Sequence, residues 1–411
     1  MGLIGTVAIR GRSPAAAWLL ATSLAVGGLV APVTLQARTW YVERDGSGDF
    51  AVIQDAVDAA ASGDTIRIGR GRFNEGQMVD LAGGAQYIRV LVRPQELTII
   101  GSKEDTIIGQ EEPWDLSQGR HMGILAVPSF GSERIVVEDI KFENMGYGIN
   151  VQDNTVKIIR CMFENNHYSL VSFDGLSLTV DDCRFSHLAR DGNHITGINQ
   201  SQAIVRDCEF VLAYEHQWFQ NALNFTTVMN GSVENCSFVG GREALLVGAG
   251  GSTAARGCTF DGQRGLSTSV GLNASLTLEH CTYRNTNSAM AVIDHAALEV
   301  RECMVESVEE VSVIVNLATA VSVRDCDLAS GSQGAVLIRN CFTTPPPTLD
   351  FTNNYWGTDD ADEIAALIHD RNDDEAVCAY VNFIPFRSHS VPVQNQTWSE
   401  VKGLFRGAQQ R

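Results

Sequence analysis

Two stretches of this 411-residue chain, "SHLARDGNH" (186–194) and "VLAYEHQWFQN" (211–221), gather His187, Arg190, Asp191, His194, Tyr214, Glu215, His216 and Trp218. No other part of the chain is as dense in titratable and aromatic side chains. A carboxylate such as Asp191 or Glu215 can act as a general base, and His194 or His216 as acid or base near neutral pH. Arg190 can neutralise the carboxylate of a uronate, while Tyr214 and Trp218 offer ring faces to the C–H faces of a sugar whose hydroxyls need fixed donors and acceptors. Such groups work only in a fixed mutual geometry, so what counts is whether the chain holds the two stretches side by side. The competing reading makes each histidine a loop residue bonded to nearby backbone and Trp218 a lid over a widened turn.

A repeat answers that question. Cys161, Cys183, Cys208, Cys236, Cys258, Cys281, Cys303 and Cys326 are separated by 22, 25, 28, 22, 23, 22 and 23 residues, a solenoid period. The frame continues without cysteine at Ile140, 21 residues earlier, and at Asn354, 28 residues later, whereas Cys341 and Cys378 fall outside it. Around each cysteine apolar and polar residues alternate, as in "VRDCEF" (205–210), which is the period of a strand. The residue before the cysteine is Asp182, Asp207, Asn235, Gly257 or Asp325, and less typically Arg160, His280 or Glu302. Asp, Asn and Gly tolerate left-handed backbone angles, so this slot predicts a sharp bend between two short strands. A further apolar strand opens each unit, for example "GINV" (148–151), "SLVSF" (169–173) and "ALNF" (222–225).

Two or three short strands and a bend in about 22 residues, without a helical stretch, predict an all-β solenoid: a single-stranded parallel β-helix of about ten coils stacked about 4.8 Å apart. The cysteines then fill an interior stack as small apolar residues. Disulfides compete with that reading in an exported chain. Rungs about 4.8 Å apart nevertheless hold Cβ atoms beyond the usual 3.5–4.5 Å of a bridge, which favours free thiols. Zinc is disfavoured by the absence of CxxC and HExxH.

The extra residues of the 25- and 28-residue coils lie in the two stretches that opened this section, which places them on adjacent coils as a raised wall. Tyr147, His167 and Tyr168 sit by register on the same edge. Alternation from inward Leu170, Ile195 and Leu223 turns Val171, Thr196 and Asn224 outward on the strand face below the wall, forming one continuous candidate surface.

With these units in view, the chain resembles the pectin-lyase-like superfamily of right-handed parallel β-helices, whose coils often read as apolar strand, turn, then "x-[DN]-[CN]-x-F". The resemblance covers nearly all of residues 39–388. It implies an N-terminal cap in "TWYVERDGSGDFAVIQDAVDAAASGDTIRIGRGRF" (39–73), where Phe50, Ile53, Val57 and Ala60 form a helical stripe that Asp49 can cap and Gly63-Asp64 ends. It implies a closing segment in "FTNNYWGTDDADEIAALIHDRNDDEAVCAYVNFIP" (351–385), with a coil, a helix and a last strand. The expected layout is a signal peptide over 1–37, cap and first strands over 38–90, β-helix over 91–357, and C-terminal cap and tail over 358–411. The superfamily's catalytic strings are absent: there is no "NTD" or "GHG", no "DFIFG", no "WIDH" and no "RxPxxR". Asp181-Asp182, a tempting carboxylate pair, is explained by the period as an exterior strand residue plus a bend.

The ends and the charge bound the rest. Arg10 and Arg12 precede an apolar run from Ala15 to Val33 that closes on "TLQA", the pattern of a secretory signal, so the mature protein is expected to be secreted, extracellular or periplasmic, and not membrane-spanning. A formal charge of −19 argues against nucleic acid as a partner. No cofactor and no metal ligand set is predicted. Ca2+ is the one ion considered, because "DDADE" (359–363) and "NDDE" (372–375) are acidic, yet neither has the alternating spacing of a calcium loop, and solvated helix ends explain both better. The tail, with Trp398, Val401, Leu404 and Phe405 after Thr397 or Ser399, is expected to form a short helix. Two functions remain open: binding of an extracellular polysaccharide, with cleavage by elimination or hydrolysis as its enzymatic form, or a non-enzymatic adhesion, surface or scaffold module.

Overall fold

The computed structural model describes residues 36–390 apart from 82–83, 94, 116, 118, 128–133, 189–191, 213–220, 319, 341–344 and 378, and leaves aside the side chains of His187 and Leu188. The signal segment and the tail helix expected near Trp398 lie outside the described residues.

Each coil contributes three short strands, so three columns run along the rod. Thr155–Ile159, Met162–Asn166 and Tyr168–Phe173 form one coil, and Ser177–Asp181, Arg184–Leu188 and Asn193–Ile198 the next. The first and second columns belong to one 22-stranded sheet, because Leu97–Gly109 and Arg134–Glu143 run unbroken through the bend. The third column is a 13-stranded sheet, parallel throughout except where Gln77–Leu81 pairs antiparallel with Gly84–Val92. Turns between Gly84 and Ala126 precede the cysteine frame and extend the rod at its N-terminal end.

In-register stacking holds. Phe163, Phe185, Phe210, Phe238, Phe260 and Tyr283 occupy one slot, with ring centroids 4.7–5.0 Å apart. The bend slot has positive φ in every coil, from 49° at Arg160 to 62° at Gly257, and also at Asp139 and Asn353, where the frame runs on without cysteine. Arg160, His280 and Glu302 therefore adopt a conformation that costs a non-glycine residue about 1–2 kcal/mol, imposed by the pairing on either side.

All eight frame cysteines are buried and free, and burial pushes the thiols of Cys161, Cys183, Cys208 and Cys236 well above the ordinary range. They are more than apolar filler. The Cys161 thiol donates to the carbonyl of Ile159 at 3.4 Å, and the backbone N–H of Cys161 donates to Cys183 Sγ at 3.4 Å.

At the start of each third-column strand lies a second interior slot that faces the phenylalanine stack. It holds Gly148, Ser169, His194, Ala222, Ala244 and Ser267 in successive coils, and all are buried. A Cβ on Gly148 would stand 2.5 Å from the Ser169 carbonyl oxygen and 3.1 Å from the Phe163 ring, so space selects small residues here. His194 is the exception.

Helix α1, Ile53–Ala59, buries Ile53, Ala56 and Val57 over the N-terminal end, with Phe50 and Ala60 packed beside them. Asp49 does not cap it: the residue before the helix is Val52, and Asp49 instead accepts the backbone N–H of Tyr41 at 3.0 Å. At the other end Asp360 caps helix α2, Ala361–Ala366, by accepting the N–H groups of Asp362 and Glu363. The acidic run 372–375 is not a helix end but a turn organised by Asp370, whose carboxylate accepts the N–H of Asn372 at 2.7 Å and of Val381 at 2.7 Å. Asp181 is an exterior residue paired with Arg206 of the next coil at 2.7 Å, as the period implies.

Candidate functional site

The second column passes into the third along one edge of the rod, and the outer face of the third column lies beside that edge. Of the wall residues, Arg190, Asp191, Tyr214, Glu215, His216 and Trp218 lie outside the described residues, as does the side chain of His187. His194 is described, and it is not on the surface. Its ring is fully buried in the small-residue slot, tilted against Phe185 and Phe210 at 5.5 and 6.1 Å, with Nδ1 3.0 Å from Ser169 Oγ. The inserted stretch 186–194 places it on the wall, but the strand already begins at Asn193, and His194 and Ile195 both turn inward there. Its role is packing, not acid–base chemistry on a bound ligand.

Tyr147, His167 and Tyr168 do come together. Tyr147 and Tyr168 occupy one slot of successive coils and stack with centroids 5.1 Å apart and planes 17° from parallel. His167 meets Tyr168 at 4.4 Å and lies flat on Trp114 at 5.1 Å. Trp114 is held from behind, its Nε1 donating to the Gly119 carbonyl at 2.9 Å, and Gly146 is glycine where a Cβ would stand 3.2 Å from that indole. Burial raises the Tyr147 and Tyr168 phenols, with the Arg120 charge pulling the other way. Further along, Tyr87 and His121 pair at 5.3 Å, and burial together with Arg89 holds the His121 imidazole below its usual range.

Beyond the rings the same face turns to amides. Asn193, Asn221 and Glu243 continue the tyrosine line by register, and Asn224 stands half-buried in the next line outward, its Oδ1 accepting the Thr226 hydroxyl at 3.1 Å. The face is less open than alternation implies. Val171 and Thr196 point away from the core but are only 3% and 7% exposed, because rungs about 4.8 Å apart shield each other's flanks and the Asn193 amide lies over Thr196, donating to its Oγ1 at 3.0 Å. Burial pushes the Glu243 carboxyl up, against the pull of Arg242.

A separate cleft of about 380 Å³ lies on the first column of the C-terminal coils, floored by Ser275, Thr277, Ala297 and Ser322. Its charged groups are committed to one another: Glu299 pairs with Arg301, and Arg324 Nε lies 3.6 Å from Asp350. We place the site on the aromatic face instead, where ring planes and amides converge. No group of three or more metal-ligating side chains occurs among the described residues.

The family model for the right-handed β-helix region matches residues 120–216 and 213–328. The chain belongs to the right-handed β-helix family. That agrees with the pectin-lyase-like resemblance and with the hand expected of parallel crossovers. The solved structures similar to this β-helix protein include the A-module of a mannuronan C-5 epimerase from Azotobacter vinelandii (10% identity, 82% of this chain and 95% of that one, TM-score 0.42). They also include a family 28 exopolygalacturonase from Yersinia enterocolitica (11%, 78% and 78%, TM-score 0.38). A third is a tailspike protein of Acinetobacter baumannii bacteriophage Fri1, a capsular polysaccharide depolymerase (10%, 90% and 64%, TM-score 0.39). At such identities the likeness is one of fold. No curated protein matches.

Two residues of this candidate face lie outside what sequence reasoning singled out. Trp114 sits in "QEEPWDLSQGR" (110–120), a long connection on the same edge as the wall, but in a coil without cysteine that the frame does not reach. Glu243 follows a coil of ordinary length, so only its register with Asn193 and Asn221 marks it.

Proposed function

We propose that this β-helix protein is exported, to the extracellular space or the periplasm, and binds a polysaccharide on the outer face of its third strand column. The Tyr147 and Tyr168 stack carries the proposal: two half-buried rings backed by His167 and Trp114 form a platform, and side-chain amides adjoin it. Sugars present C–H faces to rings and hydroxyls to amides, and such a surface supplies both. Binding is the proposal, and cleavage by elimination or hydrolysis is read in the same experiment.

The purified protein is incubated with pectin, alginate and glycosaminoglycans, with and without Ca2+, while retention, unsaturated-product absorbance and reducing ends are followed. Retention by one polysaccharide, lost in a Tyr147→Ala/Tyr168→Ala variant whose far-UV spectrum is unchanged, supports the reading. Failure of every polysaccharide to bind, or binding indifferent to the double substitution, favours a scaffold module.

A further inference from the structure

The tyrosine line has two ends. Tyr147, Tyr168, Asn193, Asn221 and Glu243 occupy the same outer slot of five successive coils. On the N-terminal side the slot passes to Met122 and Ile88, which are buried in an apolar cluster beneath Val79 and Leu81 of the antiparallel hairpin. On the C-terminal side it passes to Leu266, packed against an apolar cluster that includes Ala291 and Ile314. Within this slot the polar and aromatic track is thus bounded at both ends by apolar side chains.

Five rungs span about 19 Å between the first and last positions, and a pyranose ring covers about one rung of 4.8 Å. Building on the polysaccharide-binding reading above, we infer that the track holds a segment of about five sugar residues laid along the rod axis, stacked on Tyr147 and Tyr168 at one end and gripped by the Glu243 carboxyl at the other. Glu243 is then the residue that sets the length of chain recognised. It suits that position chemically. Half-buried beside Arg242 and raised by burial, its carboxyl can accept a sugar hydroxyl when ionised and donate to a ring or bridging oxygen when protonated. The asymmetry of rings at one end and a carboxyl at the other also fixes the direction in which the chain lies.

Calorimetric titration with a ladder from disaccharide to heptasaccharide, cut from whichever polysaccharide the protein retains, tests the inference. Affinity is expected to climb to about the pentasaccharide and then level. Glu243→Gln and Glu243→Ala should weaken the pentasaccharide about fivefold, the loss of one or two hydrogen bonds, and leave the disaccharide unchanged, whereas Tyr168→Ala weakens every length. Thermal melts of both Glu243 variants confirm that each is folded. Equal weakening of all lengths by the Glu243 variants, no weakening at all, or affinity still climbing at the heptasaccharide would overturn the bounded track while leaving polysaccharide binding in place. Absence of any binding by the unmodified protein overturns both.

Discussion

The backbone N–H of Cys326 donates to Asn354 Oδ1 at 2.8 Å, one rung beyond the point where the N–H of Cys303 donates to Cys326 Sγ at 3.4 Å. Thiol and side-chain amide occupy the same place in one ladder. Each accepts the N–H that the bend leaves without a strand partner, and each returns a proton to a nearby carbonyl, the thiol of Cys326 to Arg324 and the Asn354 amide to Val323 and Phe351. Cys183, Cys303 and Cys326 are therefore compact acceptors as much as volume fillers, and a buried N–H left without one costs about 1–3 kcal/mol. Cys326→Asn should lie within about 1 kcal/mol of the parent protein, while Cys326→Ala should lose about 1–2 kcal/mol. Urea midpoints at equal m-values measure both, and an Asn variant less stable than the Ala variant would refute the ladder.

That slot also shows what the sequence makes legible. Asp182, Asp207 and Asn235 announce the bend by residue type, and periodicity carries the prediction to Arg160, His280 and Glu302, whose types argue against it but whose φ values agree. Strand order and register follow from the same period, whereas the two capping segments come from the resemblance to the pectin-lyase-like superfamily. Coil length places His194 on the wall, because the extra residues of its coil end at position 194, yet the third-column strand has already begun at Asn193 and the ring turns inward. The neighbours in register were the better guide: Gly148, Ser169, Ala222 and Ala244 are small in every coil because an aromatic stack stands opposite them. Trp114 escaped because its coil lacks the cysteine that numbers the others.

His194 should therefore behave as a core residue. His194→Ser gives its coil the residue type of the neighbouring rungs but removes a ring packed against Phe185 and Phe210, leaving a cavity that costs about 2–4 kcal/mol. The variant should melt at lower temperature and, well below that temperature, bind polysaccharide within about threefold of the parent. Unchanged stability with abolished binding or turnover would return His194 to the surface chemistry first expected of it.

The aromatic platform makes a prediction that leaves its rings intact. In Gly146→Ala the new Cβ would stand 3.2 Å from both the Trp114 indole and the His121 carbonyl oxygen, so the indole must shift and the His167 ring resting on it must follow. Affinity should fall a few-fold, whereas Tyr168→Phe, which keeps the ring face, should hold it within about twofold. Isothermal titration against the retained polysaccharide separates the two. Equal losses would mean that the phenol hydroxyl, not the ring plane, carries the contact.

On the second column, a charge cluster sets how the rod responds to acid. Glu143 accepts Lys141 Nζ at 2.9 Å and Arg72 Nη2 at 2.7 Å, and Lys141 reaches Glu164 at 2.8 Å. Burial alone would push the Glu143 carboxyl up, but the hydrogen bonds from Lys141 and Arg72 outweigh it and hold the group below its ordinary value of 4.5. A carboxyl depressed by folding stabilises the folded state above its unfolded pKa and loses that contribution as pH falls through the folded value. Glu143→Gln should therefore cost about 1–2 kcal/mol at neutral pH, and the difference from the parent should shrink progressively once the pH drops below 4.5. Lys141 is shifted in the opposite sense: burial opposes its charge, yet Glu164 and Glu143 raise it above 10.5, so its share persists through the acid window until those carboxylates protonate. Denaturation midpoints of parent and variant from pH 7 to pH 3 measure the convergence. A gap that stays constant across that range would mean that the substitution acts through packing of the strand pair and not through the charge it removes.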